Sequence, residues 1–521
     1  MKKVAVISDI HIGTNIFSNW YRKGIHEPYL QAVFQWVIDH KDEIDQLMIL
    51  GDLLDFWTYP PDMRPPSTAE IIKENEAILG ENGMLAQVYT ALGGDVVYMN
   101  GNHDISLKQA DLDLIGNAGD NIRLIHDHIH TADGVTYTHG HIHTLFNAPD
   151  PSIGMPVGHF VTRAVSYYLQ QNNLVAVEQA GFGVPPKLEQ AVKDQLFHEV
   201  EKLIAQWVFG GQHVIDEIIN LPVVPRFLNA VQEATQLGLD EVILMPDGSK
   251  SSLRDAISRY ADVWKDWVLR FGGGEKGIMF AYKALWADYD GYYMGWYAQR
   301  QNFENQAGLA VMGHTHVDKL GLKSNITNYM NTGFECVPVP ELEKGEHHFN
   351  FGVVTTENGV GEPQVKKVTK TSDGVFAVKP DSAPPAAILG ENASDFSCYL
   401  TIQNKTDNTY VYDKSQEEHG YFVAEPPAQI DPHSSVRFWL QDFPGAYGTE
   451  GNVTYHLKGD PNHKLPFSFQ CVHVYIWLVN MNECSGGSYF LTKVEDVSNP
   501  WGKPNDVATK GNPFFVKFVI E

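Results

Sequence analysis

Five short polar motifs, each directly after a run of strand-forming apolar residues, constrain this chain more than any other feature. They are Asp9-Ile10-His11 after KVAVI, Gly51-Asp52 with Asp55 after QLMIL, Gly101-Asn102-His103-Asp104 after DVVYM, His139 after VTYT, and His314-Thr315-His316 after LAVM. In an open α/β sheet the loops at the carboxyl ends of the strands converge on one crevice, so residues far apart in sequence can meet there. The donors are carboxylates, imidazoles and one carboxamide, a mix that suits borderline divalent metals such as Mn, Fe, Zn or Co. No thiolate is among them.

Complete and in this order, the patterns DxH, GDxxD, GNH(D/E), H and GHxH resemble those of the calcineurin-like metallophosphoesterases, over residues 1 to 372 with a large insertion. The resemblance implies an α/β fold of four layers, two mixed β-sheets flanked by helices, and hydrolysis of a phosphodiester or phosphomonoester at two divalent metal ions. Two cations about 3.5–4 Å apart lower the pKa of a shared water and clamp the phosphoryl oxygens. They need a common anionic ligand, and Asp52, directly after its strand, is the bridging candidate. By resemblance, Asp9, His11 and His316 complete the first metal site with Asp52, and Asn102, His139 and His314 complete the second. His314 and His316, two apart on an extended segment, face the same way and can each reach one metal.

His103 is placed to protonate the leaving oxygen. In the family the last carboxylate of GDxxD, here Asp55, orients that histidine. Asp104 reads as a turn residue. His141 departs from the HGD triplet of the lipid-A precursor hydrolases of the superfamily, where an Asp would stand. His141 and His143 border the pocket or serve as exposed structural residues, and Arg163, Arg226 and Arg259 are candidate phosphate partners through their planar forks.

At 521 residues the chain has room for about two to four domains. Its net charge of -26 disfavours non-specific attraction to nucleic acid or anionic membranes. A phosphate-bearing substrate then needs local help, which bound dications supply. No apolar run is long enough to span a bilayer, and MKKVAVISD enters the first strand with no room for a secretory signal. Cys336, Cys398, Cys471 and Cys484 are widely spaced, so neither a zinc knuckle nor a disulfide framework is indicated. Cytoplasmic residence is the expectation, with signal-less export left open.

Residues 1–144 and 306–372 read as the catalytic domain, with helical candidates at EPYLQAVFQWVIDH and TAEIIKENEAILGENGMLAQVYTAL and a hairpin turn at Ala132-Asp133-Gly134. His126, His128 and His130 alternate there and read as one polar face of a strand. Residues 145–305 read as a helical cap insertion. Its exit holds Tyr282, Trp286, Tyr289, Tyr292, Tyr293, Trp296 and Tyr297, which either grip an apolar part of the substrate or pack the cap. Met330-Asn331-Thr332-Gly333 resembles the NTG-type turn of the family. Residues 373–395 read as a linker, and 396–521, with short strands between Gly, Pro, Asn and Asp, as a separate all-β sandwich.

That last segment, with Gly448-Thr449-Glu450-Gly451 before a strand, looks like the aegerolysin and actinoporin-like sandwiches, which implies contact with membrane lipid. The substrate expected is a phosphate-ester small molecule or lipid, with phospholipid-like compounds leading. The alternatives are a cyclic-nucleotide or sugar-nucleotide phosphodiesterase, and a lipid-binding, membrane-acting protein whose phosphoesterase domain is a scaffold.

Overall fold

A computed structural model of the chain describes residues 1–117, 121–149, 155–176, 188, 192, 198–210, 214–290, 293–322, 328–334, 348–389, 395–443, 448–474, 479–486, 491–495 and 512–521. The protein is a mixed α/β chain of two compact units, Met1–Ala298 with Gly308–Ala386, and Gln299–Ala307 with Ala387–Glu521.

In the first unit β1 (Lys2–Ile7), β2 (Gln46–Leu50), β3 (Val96–Met99) and β4 (Arg123–Ile125) run parallel and adjacent. The hairpin of β5 (His130–Ala132) and β6 (Val135–Tyr137) turns at Asp133 (φ 53°) and Gly134 (φ 76°), the two left-handed residues of a tight two-residue connection. Between β6 and β9 the chain carries a small ribbon, β7 (Ile243–Leu244) with β8 (Lys250–Ser251). After it come β9 (Leu309–Met312), β10 (Lys319–Leu320), β11 (Asn328–Asn331), β12 (His348–Glu357), β13 (Val360–Lys370) and β14 (Phe376–Pro380). They complete two sheets, ordered β14-β13-β12-β1-β2-β3-β4 and β10-β11-β9-β6-β5.

The continuous apolar runs follow from burial of both strand faces. Val4 and Val6, Met48 and Leu50, and Val97 and Met99 share a core with Val135, Tyr137, Leu309 and Val311 of the other sheet. The alternate residues Ala5, Ile7, Leu47, Ile49, Val96 and Tyr98 share another with Leu30, Val33, Phe34 and Val37 of α1 (Lys23–Asp39), whose spacing is that of one helical face. Because β1, β2 and β3 are parallel, as are β6 and β9, the motif loops leave each sheet at one edge.

Three expectations are corrected. The stretch from Thr68 is not one helix but α2 (Thr68–Glu74), α3 (Glu76–Leu79) and α4 (Met84–Ala91). The first break is at Asn75, whose buried amide donates to Gly13 O and Ile71 O at 2.8 Å each and so ties down the loop that carries His11. Residues 373–395 are not wholly a linker, since Phe376–Pro380 is an edge strand paired with β13. His126 and His128 lie between β4 and β5 and only His130 is in a strand, so the three do not share one strand face.

After α5 (Gln109–Leu112), the segment between β6 and β9 holds α6 (Val157–Asn172). Further helices cover His198–Gly210, Ile215–Ile219, Val223–Thr235, Leu253–Arg259, Val263–Arg270, Gly274–Asp290 and Met294–Glu304. Trp296 and Tyr297 are fully buried there and Tyr297 Oη donates to Phe280 O at 2.8 Å, so these two pack the core. The side chain of Tyr289, and Tyr292 and Cys336, lie outside the described residues.

The second unit contains two five-stranded sheets, one led by Cys398–Asn404 and Ser435–Gln441, the other by Tyr410–His419 and Gly448–Leu457. Leu400, Ile402, Phe438, Phe467, Phe469 and Phe518 come together in its core. Among the described residues no helix is long and apolar enough to cross a membrane.

Candidate metal centre

The loops after β1, β2 and β9 bend sharply at residues that seldom adopt a left-handed backbone: Asp9 (φ 60°), His11 (φ 57°), Asp52 (φ 55°), His314 (φ 73°) and His316 (φ 57°). Such strain persists where the surroundings over-determine it, and it clusters at functional sites. The sheet ladder supplies the constraint, with His11 N–H donating to Asp52 O at 2.8 Å and Gly313 N–H to His139 O at 3.0 Å. Gly51 (φ 85°) has no room for a side chain, since a Cβ there would sit 2.6 Å from both Gly101 N and His139 Nδ1.

All seven residues expected to bind metal meet at this edge. Asp9, His11 and His316 form one group that could hold a cation, and Asp9, Asp52 and His139 another. Asp52 Oδ2 lies 3.8 Å from His11 Nε2 and 3.1 Å from His139 Nε2. Asp9 Oδ1 lies 3.9 Å from both His139 Nε2 and His316 Nε2. Asn102 Oδ1 faces His139 Nε2 at 3.2 Å and His314 Nδ1 at 3.0 Å. Behind them, His139 Nδ1 meets Leu50 O at 2.8 Å, which leaves Nε2 for the crevice.

These donors fit dications. His11 Nε2 and His316 Nε2 are 3.2 Å apart, and burial holds both imidazoles below their usual pKa, that of His11 well below. Two neutral ring nitrogens facing each other are an arrangement that a shared cation relieves. Burial likewise keeps His314 well below its usual range. Burial would raise the carboxyl of Asp52, but His139 and His11 outweigh it and hold the group well below the usual carboxylate range. Deprotonated carboxylate and neutral imidazole are the forms that bind metal.

His103 joins His11 and Asp52 in a third group that could hold a cation, and it also faces a carboxylate outside the ligand set. Its Nδ1 faces Asp55 Oδ1 at 3.1 Å, and although burial opposes the charged ring, Asp55 and Asp52 raise its pKa. Asp55 is held in turn by N–H groups of Trp57 and Thr58 at 2.8 and 3.1 Å and by Thr58 Oγ1 at 2.7 Å. Asp104 is a buried turn residue that accepts from Gly101 N–H at 2.7 Å and from Tyr98 Oη. Burial and Asp52 push its carboxyl up to about 7.

Several supporting residues were not singled out by sequence reasoning. Ser8 Oγ donates to Asp9 Oδ2 and lies 2.5 Å from Thr332 Oγ1 in the NTG turn. Asn147 Oδ1 accepts from Asn102 Nδ2 at 3.3 Å. Trp57 stacks on His103 with centroids 4.4 Å apart, and Trp20 packs against His11 and His103 at 4.8 and 4.7 Å. The signal for Trp57 was its place two residues after Asp55.

The peripheral expectations separate. His141 and His143 are buried rather than exposed; the ring of His141 lies 5.3 Å from those of His139 and His128. Arg163, fully buried, donates through Nη2 to Pro60 O, Pro61 O and Met63 O at 2.8, 3.3 and 2.6 Å. Arg226 is ion-paired with Glu199. Arg259, exposed, lines a cleft of about 1070 Å³ whose wall includes Phe56, Asn100, Ile105, His128, Phe160 and Lys250. Phe56 N–H donates to His103 O at 3.4 Å and Asn100 is two residues from Asn102, while none of the seven metal-ligand candidates and not His103 line the cleft.

No protein-family model matches this sequence, and no curated protein does. Among solved structures the chain is similar to a dimetal phosphatase from Danio rerio, with 12% identity and a TM-score of 0.23 over 70% of this chain and 95% of that one. It is also similar to the lipid binding protein Nakanori, at 12% identity and a TM-score of 0.17 over 24% of this chain and 69% of that one. The third likeness is to RahU protein, in a complex with TRIS, at 13% identity and a TM-score of 0.18 over 24% of this chain and 92% of that one.

Proposed function

We propose that the chain is a dinuclear metal-dependent phosphoesterase, acting on a phosphodiester or phosphomonoester with a sizeable organic part. The observation that carries this reading is the single carboxylate of Asp52 between two sets of donors, 3.8 Å from His11 and 3.1 Å from His139. Asp9, His11, Asp52 and His316 would hold one cation, and Asn102, His139 and His314 with Asp52 the other. When bound, the pair supplies an activated water and positive charge against the phosphoryl oxygens. The residues do the rest. His103, whose charged form the Asp55 carboxylate favours, would give its proton to the leaving oxygen, and the ligands hold their geometry because the strand ends fix them.

A cleft of about 1070 Å³ lined by Phe56, Asn100 and Ile105, whose chain neighbours belong to the donor motifs, has room for an organic group beyond the ester itself, because small-molecule sites commonly measure about 300–1,000 Å³. Phospholipid-like esters lead, with nucleotide esters as the competitor. For the second unit we infer lipid contact from its aegerolysin-like sequence; no retention of the full chain on vesicles of any composition would end that inference.

Turnover of p-nitrophenyl phosphate and its bis-ester by the purified chain with Mn tests the reading. Activity lost with a chelator and with Asp52→Asn supports it. Equal release in all three samples would leave the domain a scaffold.

A further inference from the structure

The first turn of α6 touches two residues that in turn contact the cluster, Asn147 and Trp57. Gly158 presses on Asn147 so closely that a Cβ would overlap its Oδ1, and the same Cβ would lie 3.3 Å from Trp57 Cζ3. Asn147 Oδ1 is the acceptor for Asn102 Nδ2, so this contact decides which way the Asn102 amide faces. With its nitrogen held there, its oxygen is turned to His139 and His314.

Trp57 grips the other partner twice. Its indole lies on the His103 ring, 28° from parallel, and its backbone N–H donates to the Asp55 oxygen that faces His103 Nδ1. The next residue of α6, His159, meets the indole edge-on, with centroids 5.5 Å apart at 81°. His159 is fully buried, and neither ring nitrogen has a hydrogen-bond partner among the described residues.

We propose that the first turn of α6 is a positioning element of the phosphoesterase site: through Gly158 and Asn147 it sets the carboxamide of Asn102, and through Gly158, His159 and Trp57 it sets the ring of His103. The inference rests on the reading given under Proposed function. It makes the insertion a back wall for two separate tasks, ligand orientation and proton delivery. Trp57, Asn147, Gly158 and His159 are positioning residues, since each acts through another side chain.

The two tasks have separate readouts. p-Nitrophenol leaves without help, whereas phenol needs a proton, so loss of a well-placed acid costs phenyl phosphate more than p-nitrophenyl phosphate. Trp57→Leu is expected to lower kcat on the phenyl ester roughly tenfold more than on the p-nitrophenyl ester, with KM within about twofold, because proton delivery is a transition-state task. Trp57→Phe, which keeps a flat ring, restores most of that ratio. His159→Leu falls between them. For the ligand, Asn147→Ala and Gly158→Ala are expected to weaken Mn binding about 10–100-fold, measured calorimetrically without substrate.

Equal losses on both esters in Trp57→Leu would overturn the His103 half, and unchanged Mn affinity in both Asn147→Ala and Gly158→Ala the Asn102 half. The Trp57→Phe and Asn147→Ala arms remain decisive if the larger changes do not fold. A wild-type protein that binds no Mn and cleaves neither ester would fail at the phosphoesterase reading itself; one that does both and shows no variant effect would fail only here.

Discussion

Asp52 Oδ2 stands 3.1 Å from His139 Nε2, although the two residues follow strands of different sheets, β2 in the larger and β6 in the smaller. The pair joins the two sheets at the edge where the motif loops emerge. Asp52 also accepts from His103 N–H at 2.8 Å, so one carboxylate ties three motifs together.

Asp52→Asn keeps the shape and removes the charge that two cations would share. The variant is expected to retain less than two equivalents of Mn after equilibrium dialysis and to lose at least ~10²-fold in kcat, the equivalent of about 3 kcal/mol in the transition state. Full metal loading with full activity would sink the bridging role.

Metal binding should depend steeply on pH because of His139. Burial opposes its charged form, but Asp52 and Asp9 outweigh that and raise its pKa to about 9 in the metal-free protein. At pH 7 the ring is therefore charged and must lose its proton to become a ligand. Mn binding is expected to release about one proton, seen calorimetrically in buffers of different ionisation enthalpy, with affinity rising from pH 7 to 9. The linked stability runs the other way. A raised pKa makes the His139–Asp52 pair stabilising below the unfolded histidine value of ~6.5, a contribution lost as pH rises through about 9.

The legible part of this site is the part set by strand periodicity. Asp9, Asp52, Asn102, His139 and His314 follow apolar runs whose alternation the structure explains, because Val4 and Val6 face one core while Ala5 and Ile7 face the other. Residues placed by tertiary contact were not legible. Nothing local to Asn147 or Gly158 marks them as neighbours of Asn102 and Trp57. Arg163 looked like a phosphate ligand because its chemistry allows it; its three carbonyl partners, Pro60, Pro61 and Met63, depend on how α6 packs. The break at Asn75 was hidden for the same reason, since helix propensity is overridden by a buried amide tied to Gly13.

Asp55→Asn should alter the pH profile as well as the rate. Burial lowers the pKa of His103 and the carboxylates raise it more, so removing the Asp55 charge moves it down. His103 serves as an acid only while protonated, so the basic limb of kcat against pH is expected to move towards acid. His103→Asn should abolish that limb and lower kcat roughly 10²-fold on a poor leaving group. An unmoved limb in Asp55→Asn would separate the pair.

Arg163→Met tests the structural use of that residue. The guanidinium is fully buried, and burial lowers its pKa only to about 10, which leaves it charged at neutral pH. Methionine keeps the apolar stem and removes the guanidinium donor from Met63 O, and one of two donors from Pro60 O and Pro61 O, which keep Met63 N–H and Leu244 N–H. A loss of roughly 2–4 kcal/mol in urea unfolding is expected. No change would mean that water satisfies those carbonyls equally well.

The cleft makes the last prediction, because charge on its rim should discriminate between substrates. Lys108, Lys250 and Arg259 are exposed and line it together with Asp111, Asp127 and Asp247, in a chain of net charge -26. A small ester such as p-nitrophenyl phosphate needs only the donor cluster, whereas an ester with a long anionic arm would extend past Phe56 towards these cations. Arg259→Glu is accordingly expected to raise KM for the larger ester roughly tenfold, ~1.4 kcal/mol of binding, while leaving p-nitrophenyl phosphate within twofold. Kinetics on a sugar nucleotide and a lysophospholipid side by side would show which arm is recognised, since only the ester that uses the cleft should respond to the charge reversal. Identical responses for small and large esters would place substrate binding elsewhere and leave the cleft without a role in catalysis.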